Sequence, residues 1–279
     1  MGGAVKRLLR NPGHARTTAA VSAQTRFKRF NSVRLLLMAA VLAALWHLGG
    51  DAGLSPDENR LWERVRAAQT HMSQWRQDNG TAGAPESDPW QCGLIGLEWS
   101  AITTTLGDLA AKHTACNPAW AVQFSRWFRE LGLQEGDRIA IYSSGSFPGL
   151  LLNAIAASEA MQLEPLLVVS LGASTWGANH PDIPWPVMAA ELRSAGFIHK
   201  RADFYTLGGG GELGHGLSPE GQALLRRAAA ESGVELLIAG DLQQMIALKM
   251  DLLEKFKPGL LINIGGSQAN LGDAEEVLR

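Results

Sequence analysis

Four short, mainly apolar runs punctuate the second half of the chain: "RIAIYSS" (138–144), "PLLVVSLG" (165–172), "VELLIAG" (234–240) and "GLLINIGG" (259–266). Between them lie segments whose apolar residues recur at helical spacing. Strands apolar on both sides must be covered on both sides, and parallel neighbours need crossovers long enough to hold a helix. The alternation predicts an α/β domain built on a mostly parallel sheet with helices on both faces.

The predicted helices carry their own punctuation. Residues 118–132 place Trp120, Phe124, Trp127 and Leu131 on one face and stop at Gly132. Further helices are expected over 148–163, 186–195, 218–232 and 241–256, with an irregular stretch leading to Tyr205. Ser218 and Pro219 supply an N-cap and a first-turn proline. Upstream, Ser55 and Pro56 open an amphipathic helix over 55–78 with Leu61, Val65, Ala68 and Met72 on one stripe. It reads as a stalk, followed by a linker, "NGTAGAPESDP" (79–89). Residues 51–89 are thus stalk and linker, and the α/β domain is expected over 90–279. After the last strand only "DAEEVLR" follows the final glycines, which leaves C-terminal truncation and an edge arrangement both open.

Charge is distributed unevenly. Residues 1–34 hold eight Lys or Arg and no acid, so a net charge of −2 leaves −10 for the remainder. The basic tail runs directly into "LLLMAAVLAALWHLGG" (35–50), a little short of the ~20 apolar residues of a spanning helix. A retained signal anchor, a cleaved secretory signal and a buried soluble helix compete. A basic flank before and an acidic flank after favour a cytoplasmic N-terminus and an extracytoplasmic main domain. The length of the basic segment favours a retained, single-pass anchor in the cell membrane over a cleaved signal. Because the basic tail adjoins an apolar stretch, it is read as a topology signal, and no nucleic-acid partner is expected. Cys92 and Cys116 are the only cysteines; they could pair in an oxidising compartment, and they lack metal-ligand spacing.

In open α/β sheets, ligands bind beyond the carboxyl ends of the strands, where strand order reverses. Small polar residues collect at those places: "SSGSFPG" (143–149), "GASTWGANHPD" (172–182), "GGSQANLG" (265–272) and, ahead of a helix, "GGGGELGHG" (208–216). Glycines let backbone N–H groups approach a ligand, and a helix N-terminus adds partial positive charge. Chain reversal alone also uses Gly and Ser. The expected ligand-binding set is Thr104, Ser144, Ser146, Ser174, Asn179, Gly209, Gly210, His215 and Ser267. No nucleotide-binding fingerprint or nucleophile elbow is present. Serine chemistry would use Ser146 or Ser144, with Asp182 as orienter and His215 or His180 as base. A metal reading of His180, Asp182, Glu212 and His215 lacks the helical spacing of such sites, and no metal is expected.

"GLEWSAITTTLGDLAAKHTACNP", "YSSGSFPGLLLNAIAASEA", "SLGASTWGANHPDIPW", "LGGGGELGHGLSPEG" and "NIGGSQANLG" together resemble the poly-gamma-glutamate system protein family, in collinear order from Gly93 to Gly272. A local likeness of "LGLQEGDRIAIYSSGSFPGLL" to adenylate-forming enzymes covers one αβ unit and lacks that class's phosphate signature. The family resemblance implies a membrane-tethered accessory component of bacterial assembly of an anionic surface polymer, or capsule, acting beside the membrane components of the synthase. It transfers no catalytic residues. Two functions stay open: binding of glutamate or polymer carboxylates at the strand-end cleft, or a hydrolase or amide ligase using Ser and His on the same rim. No cofactor is identified. An acidic domain meeting a polyanion needs local donors or a bridging divalent cation.

Overall fold

The computed structural model describes residues 33–42 and 53–271, divided into two units after Leu54. In the first unit, residues 33–42 form a helix, α1, whose apolar side chains, including Leu36 and Leu42, are exposed. Among the described residues no helix is long and apolar enough to cross a membrane. Most of the basic tail and the second half of the 35–50 segment lie outside the described residues.

The second unit begins with α2 (Pro56–Asp78). Ser55 Oγ accepts from Glu58 N, and Glu58 Oε2 accepts from Ser55 N at 2.9 Å, a reciprocal cap that fixes the helix start. This helix is not a stalk. Leu61, Val65, Ala68 and Met72 are buried in the same core as the sheet, and α2 packs on three later helices. An apolar stripe must find a partner, and here the partner is the domain itself, which therefore starts at Ser55 rather than near Trp90. The expected linker is likewise fixed. The buried Arg76 donates to the carbonyls of Thr81 (3.0 Å), Gly93 (3.2 Å) and Ile95 (2.6 Å), gathering the chain around its guanidinium.

The rest follows as β1 (Thr103–Thr105), α3 (Leu109–Ala115), α4 (Ala119–Glu130), β2 (Arg138–Ser144), α5 (Pro148–Ala160), β3 (Glu164–Ser170) and β4 (Ala173–Ser174). Then come α6 (Trp185–Ser194), β5 (Phe204–Thr206), α7 (Pro219–Ser232), β6 (Glu235–Leu236), α8 (Leu242–Phe256), β7 (Leu260–Ile264) and α9 (Gln268–Leu271). Five strands form a wholly parallel sheet in the order β6-β5-β3-β2-β7, and β1 pairs with β4 separately. Two expectations are corrected. The stretch read as irregular supplies β5, which pairs with the end of β3. The "VELLIAG" run contributes only two residues, because β6 is an edge strand and Ile238 beyond it is exposed.

Side chains alternate between the faces of the central strands. Ile139, Ile141, Leu167 and Val169 meet a core supplied by α2, α4, α5, α6 and α7, whereas Ala140, Tyr142, Leu166 and Val168 pack against Leu252, Leu253 and Phe256 of α8. Helix α4 buries Phe124 and Phe128, while Trp127 and Leu131 of the expected face stay exposed beside the edge strand β7. The chain runs from β2 through β3 and β5 to β6 in one direction, then returns to place β7 on the other side of β2. Strand order therefore reverses at the paired β2 and β7, whose carboxyl ends present Ser144 and the "GGS" turn.

Candidate functional site

A cleft of about 480 Å³ opens at that switch point. Its floor is made by strand ends: Ser144 closes β2, Ser170 closes β3, and Ser267 follows β7. The turn after β7 reaches Ser144 only because residue 265 is glycine: its φ is +94°, and a Cβ there would lie 2.2 Å from Ser144 Oγ. The hydroxyls of Ser144, Ser170 and Ser267 are buried and have no hydrogen-bond partner among the described residues. Buried polar groups are nearly always paired, so three unpaired hydroxyls in one cleft mark where a ligand's polar atoms fit.

One wall comes from the β1–α3 segment and carries Thr104 and Lys112. Asp108 caps α3 by accepting from Ala111 N, and the helix then carries Lys112 inward until it is 3% exposed. Its Nζ donates to Ser146 O and to Ser174 Oγ, each at 2.7 Å, and stands 3.8 Å from the centroid of the Phe147 ring. Neither of these oxygens belongs to a carboxylate. Burial lowers the Lys112 pKa to about 8, against the opposing pull of Asp108. Beside it, α5 starts at Pro148 with no side-chain cap, so the partial positive charge of its N-terminus follows directly on Ser146 and Phe147 of the cleft wall.

The opposite wall is the glycine-rich loop, through Gly209, Gly210 and Glu212. Gly209 has φ +71°, and a Cβ on it would meet His215 O at 2.4 Å, so the loop's return requires glycine. Glu212 also sits at positive φ (+63°) and is buried. Lys249 of α8 lies 2.6 Å from its Oε1 and 2.5 Å from its Oε2, and also donates to Asn270 Oδ1. This pair ties the loop to the helix on the far side of the sheet.

Of the expected ligand set, Thr104, Ser144, Ser146, Ser174, Gly209, Gly210 and Ser267 line the cleft. Asn179 does not: it is fully buried, accepts from Leu97 N (2.8 Å), and donates to Leu97 O (2.8 Å) and Thr103 Oγ1 (2.9 Å). Its amide is consumed in holding two loops together. His215 is exposed and only its backbone carbonyl serves the loop, accepting from Gly210 N at 3.0 Å. Asp182 is exposed beside His180, 3.9 Å from Nδ1, also outside the cleft. The triad of Ser146, Asp182 and His215 is therefore not assembled. Among the described residues no three His, Cys, Asp or Glu side chains group as metal ligands.

Lys112 and Ser170 line the cleft without having been singled out, and Glu212, weighed only as a metal ligand, lines it as well. Lys112 had a readable signal: it falls on the stripe shared with Leu109, Ala115 and Cys116, where an apolar residue belongs. No family model, curated protein or solved structure matches this chain.

Proposed function

We propose that the protein is a membrane-anchored accessory component of bacterial poly-gamma-glutamate synthesis or export, binding a carboxylate of glutamate or of the polymer in the strand-end cleft. The observation that carries the ligand reading is Lys112, a buried amine hydrogen-bonded to no carboxylate, with the exposed Asp108 acting on it only through space. A buried ammonium without a paired carboxylate is costly, and an anionic ligand supplies a direct counter-charge. The unpaired hydroxyls of Ser144, Ser170 and Ser267 add donors suited to carboxylate oxygens, and the start of α5 adds partial positive charge. They also answer the charge problem, because an acidic domain can bind a polyanion through local donors; a divalent cation bridging carboxylates is the alternative.

The pathway assignment rests on the five collinear motifs. The exposed apolar side chains of α1 support an anchor, with the N-terminus cytoplasmic, the main domain outside, and the membrane components of the synthase as partners. The test is calorimetric titration of the protein with glutamate and with short gamma-linked glutamate oligomers. Binding is expected, weakened at least tenfold in Lys112→Met; the absence of binding, or equal affinity in the variant, would sink the reading.

One observation favours a second reading, an amide-cleaving enzyme: the 2.7 Å contact between Lys112 Nζ and Ser174 Oγ, with a lysine pKa of about 8. A neutral Lys112 would take the Ser174 proton as Oγ attacks the amide carbonyl, then give it to the departing amine. Water would release the acyl group from Ser174. Ser174 here takes the role first assigned to Ser146. Shortening of polymer that disappears in Ser174→Ala distinguishes this reading from binding alone.

A further inference from the structure

We infer that Cys92 and Cys116 close a disulfide that staples α3, and with it Lys112, to the segment following α2. They are the only two cysteines of the chain, and folding brings them together: both are buried, and their sulfur atoms stand 3.0 Å apart across 24 residues of sequence. The Cys92 thiol is also hydrogen-bonded by the Leu94 backbone, which fixes its sulfur facing Cys116.

The backbone around each cysteine is fixed independently of the sulfurs. On one side, the Asp88 carboxylate accepts from Cys92 N (2.9 Å) and Gly93 N (2.7 Å). Gly93, at φ +69°, lies so close to α2 that a Cβ would fall 2.3 Å from Ser73 N. On the other side, Cys116 N donates to Lys112 O at 3.1 Å, and Gln69 Nε2 of α2 donates to Cys116 O. A disulfide needs its two cysteines already positioned, and here helix, carboxylate and glutamine anchor the backbone on both sides of the facing sulfurs. A metal reading fails because no third ligand joins the pair among the described residues. A redox-sensing thiolate fails as well: the neighbouring Cys116 thiol and burial hold the Cys92 thiol well above the ordinary cysteine range. The bond therefore forms as the chain folds, while the thiols are still exposed.

With oxidised glutathione as the oxidant the step balances. One cysteine thiolate attacks a glutathione sulfur, forming a mixed disulfide and releasing one glutathione thiolate. The second cysteine thiolate attacks the cysteine sulfur of that mixed disulfide and expels the second. Two electrons pass to glutathione, the two cysteine protons pass through solvent to the glutathione thiolates, and one protein S–S bond replaces two S–H bonds. Since Cys116 is one helical turn beyond Lys112, the bond braces the helix that carries the buried amine. The inference does not depend on what the cleft binds.

The test is to refold the full chain in a glutathione buffer with oxidised glutathione in excess, and compare it with the reduced protein. The expected result is no titratable thiol under denaturing conditions, one linked peptide pair containing Cys92 and Cys116, and an unfolding midpoint higher by on the order of 5–10 °C. The double variant Cys92→Ser/Cys116→Ser should resemble the reduced protein; if it does not fold, the reduced wild type supplies the same comparison. Two thiols persisting in excess oxidant would overturn the inference, as would a bond that forms and leaves the midpoint unchanged or lower.

Discussion

Two lysines are buried, one in a wall of the cleft and one behind the glycine-rich wall, and they solve the same electrostatic problem differently. Lys112 on α3 is 3% exposed and Lys249 on α8 is 2% exposed, and burial pulls both pKa values down. Lys249 meets the carboxylate of Glu212, which pulls the other way, and adds a hydrogen bond to Asn270. Lys112 meets a carbonyl, a hydroxyl and a ring. The first is a closed pair that holds a loop. The second is an open amine facing a space lined with unpaired hydroxyls, and the missing partner separates a structural lysine from a ligand-binding one.

The largest effect that tests the contrast comes from breaking the closed pair. Lys249→Met leaves Glu212 charged and buried without its partner, and should destabilise the domain by about 3–5 kcal/mol. Adding Glu212→Gln should restore much of that loss. Lys112→Met, which leaves no carboxylate stranded, should leave stability unchanged or raise it. Denaturant unfolding of the three variants decides the point. Equal destabilisation by the two lysine substitutions would erase the distinction.

How much of this could be read beforehand follows from what each residue's own sequence context contains. Strands β2, β3 and β7 were legible because their apolar runs are long, even though β7 lies at the edge of the sheet. Phe204–Thr206 is too short to carry a pattern, and it becomes a strand because the end of β3 offers it a ladder. The apolar stripe of α2 was visible, but the surface it faces is not encoded within the helix. Four hydroxyls were found from the rule that ligands gather at strand ends. Asn179 and His215 satisfied the same rule and failed it in space, since polar loop residues are also spent on holding loops together. Lys112 was missed because a lone charge on a helix is ordinarily a solvated one.

The next effect is a pH dependence. The folded pKa of Lys112, about 8, lies below that of a solvated lysine, so between these values the unfolded chain binds the extra proton and stability rises with pH. Ligand binding should move the opposite way. A carboxylate prefers the ammonium, so affinity should hold below pH 8 and fall by up to about tenfold per unit above it. Lys112→Met should remove both trends, and titrations between pH 6.5 and 9.5 measure them. A ligand affinity that increases through pH 8 would instead match a neutral lysine acting as a base on Ser174.

The smallest effect concerns the ring. Phe147 lies 3.8 Å from Lys112 Nζ, and its π face stabilises the ammonium without neutralising it, by about 0.5–2 kcal/mol. Phe147→Leu keeps an apolar side chain over the amine and removes the quadrupole. The ammonium should then be less stable, the pH at which ligand affinity begins to fall should move down, and affinity at pH 6.5 should change little. The ring has no counterpart in the closed pair: Lys249 stands 5.3 Å from the Tyr142 ring, but its charge is already met by Glu212. Tyr142→Leu should therefore leave ligand titration unmoved while costing packing and the hydrogen bond to Lys249 O. A parallel shift in both variants would mean that the two lysines share one electrostatic environment, and that the carboxylate beside Lys249 does not set it apart.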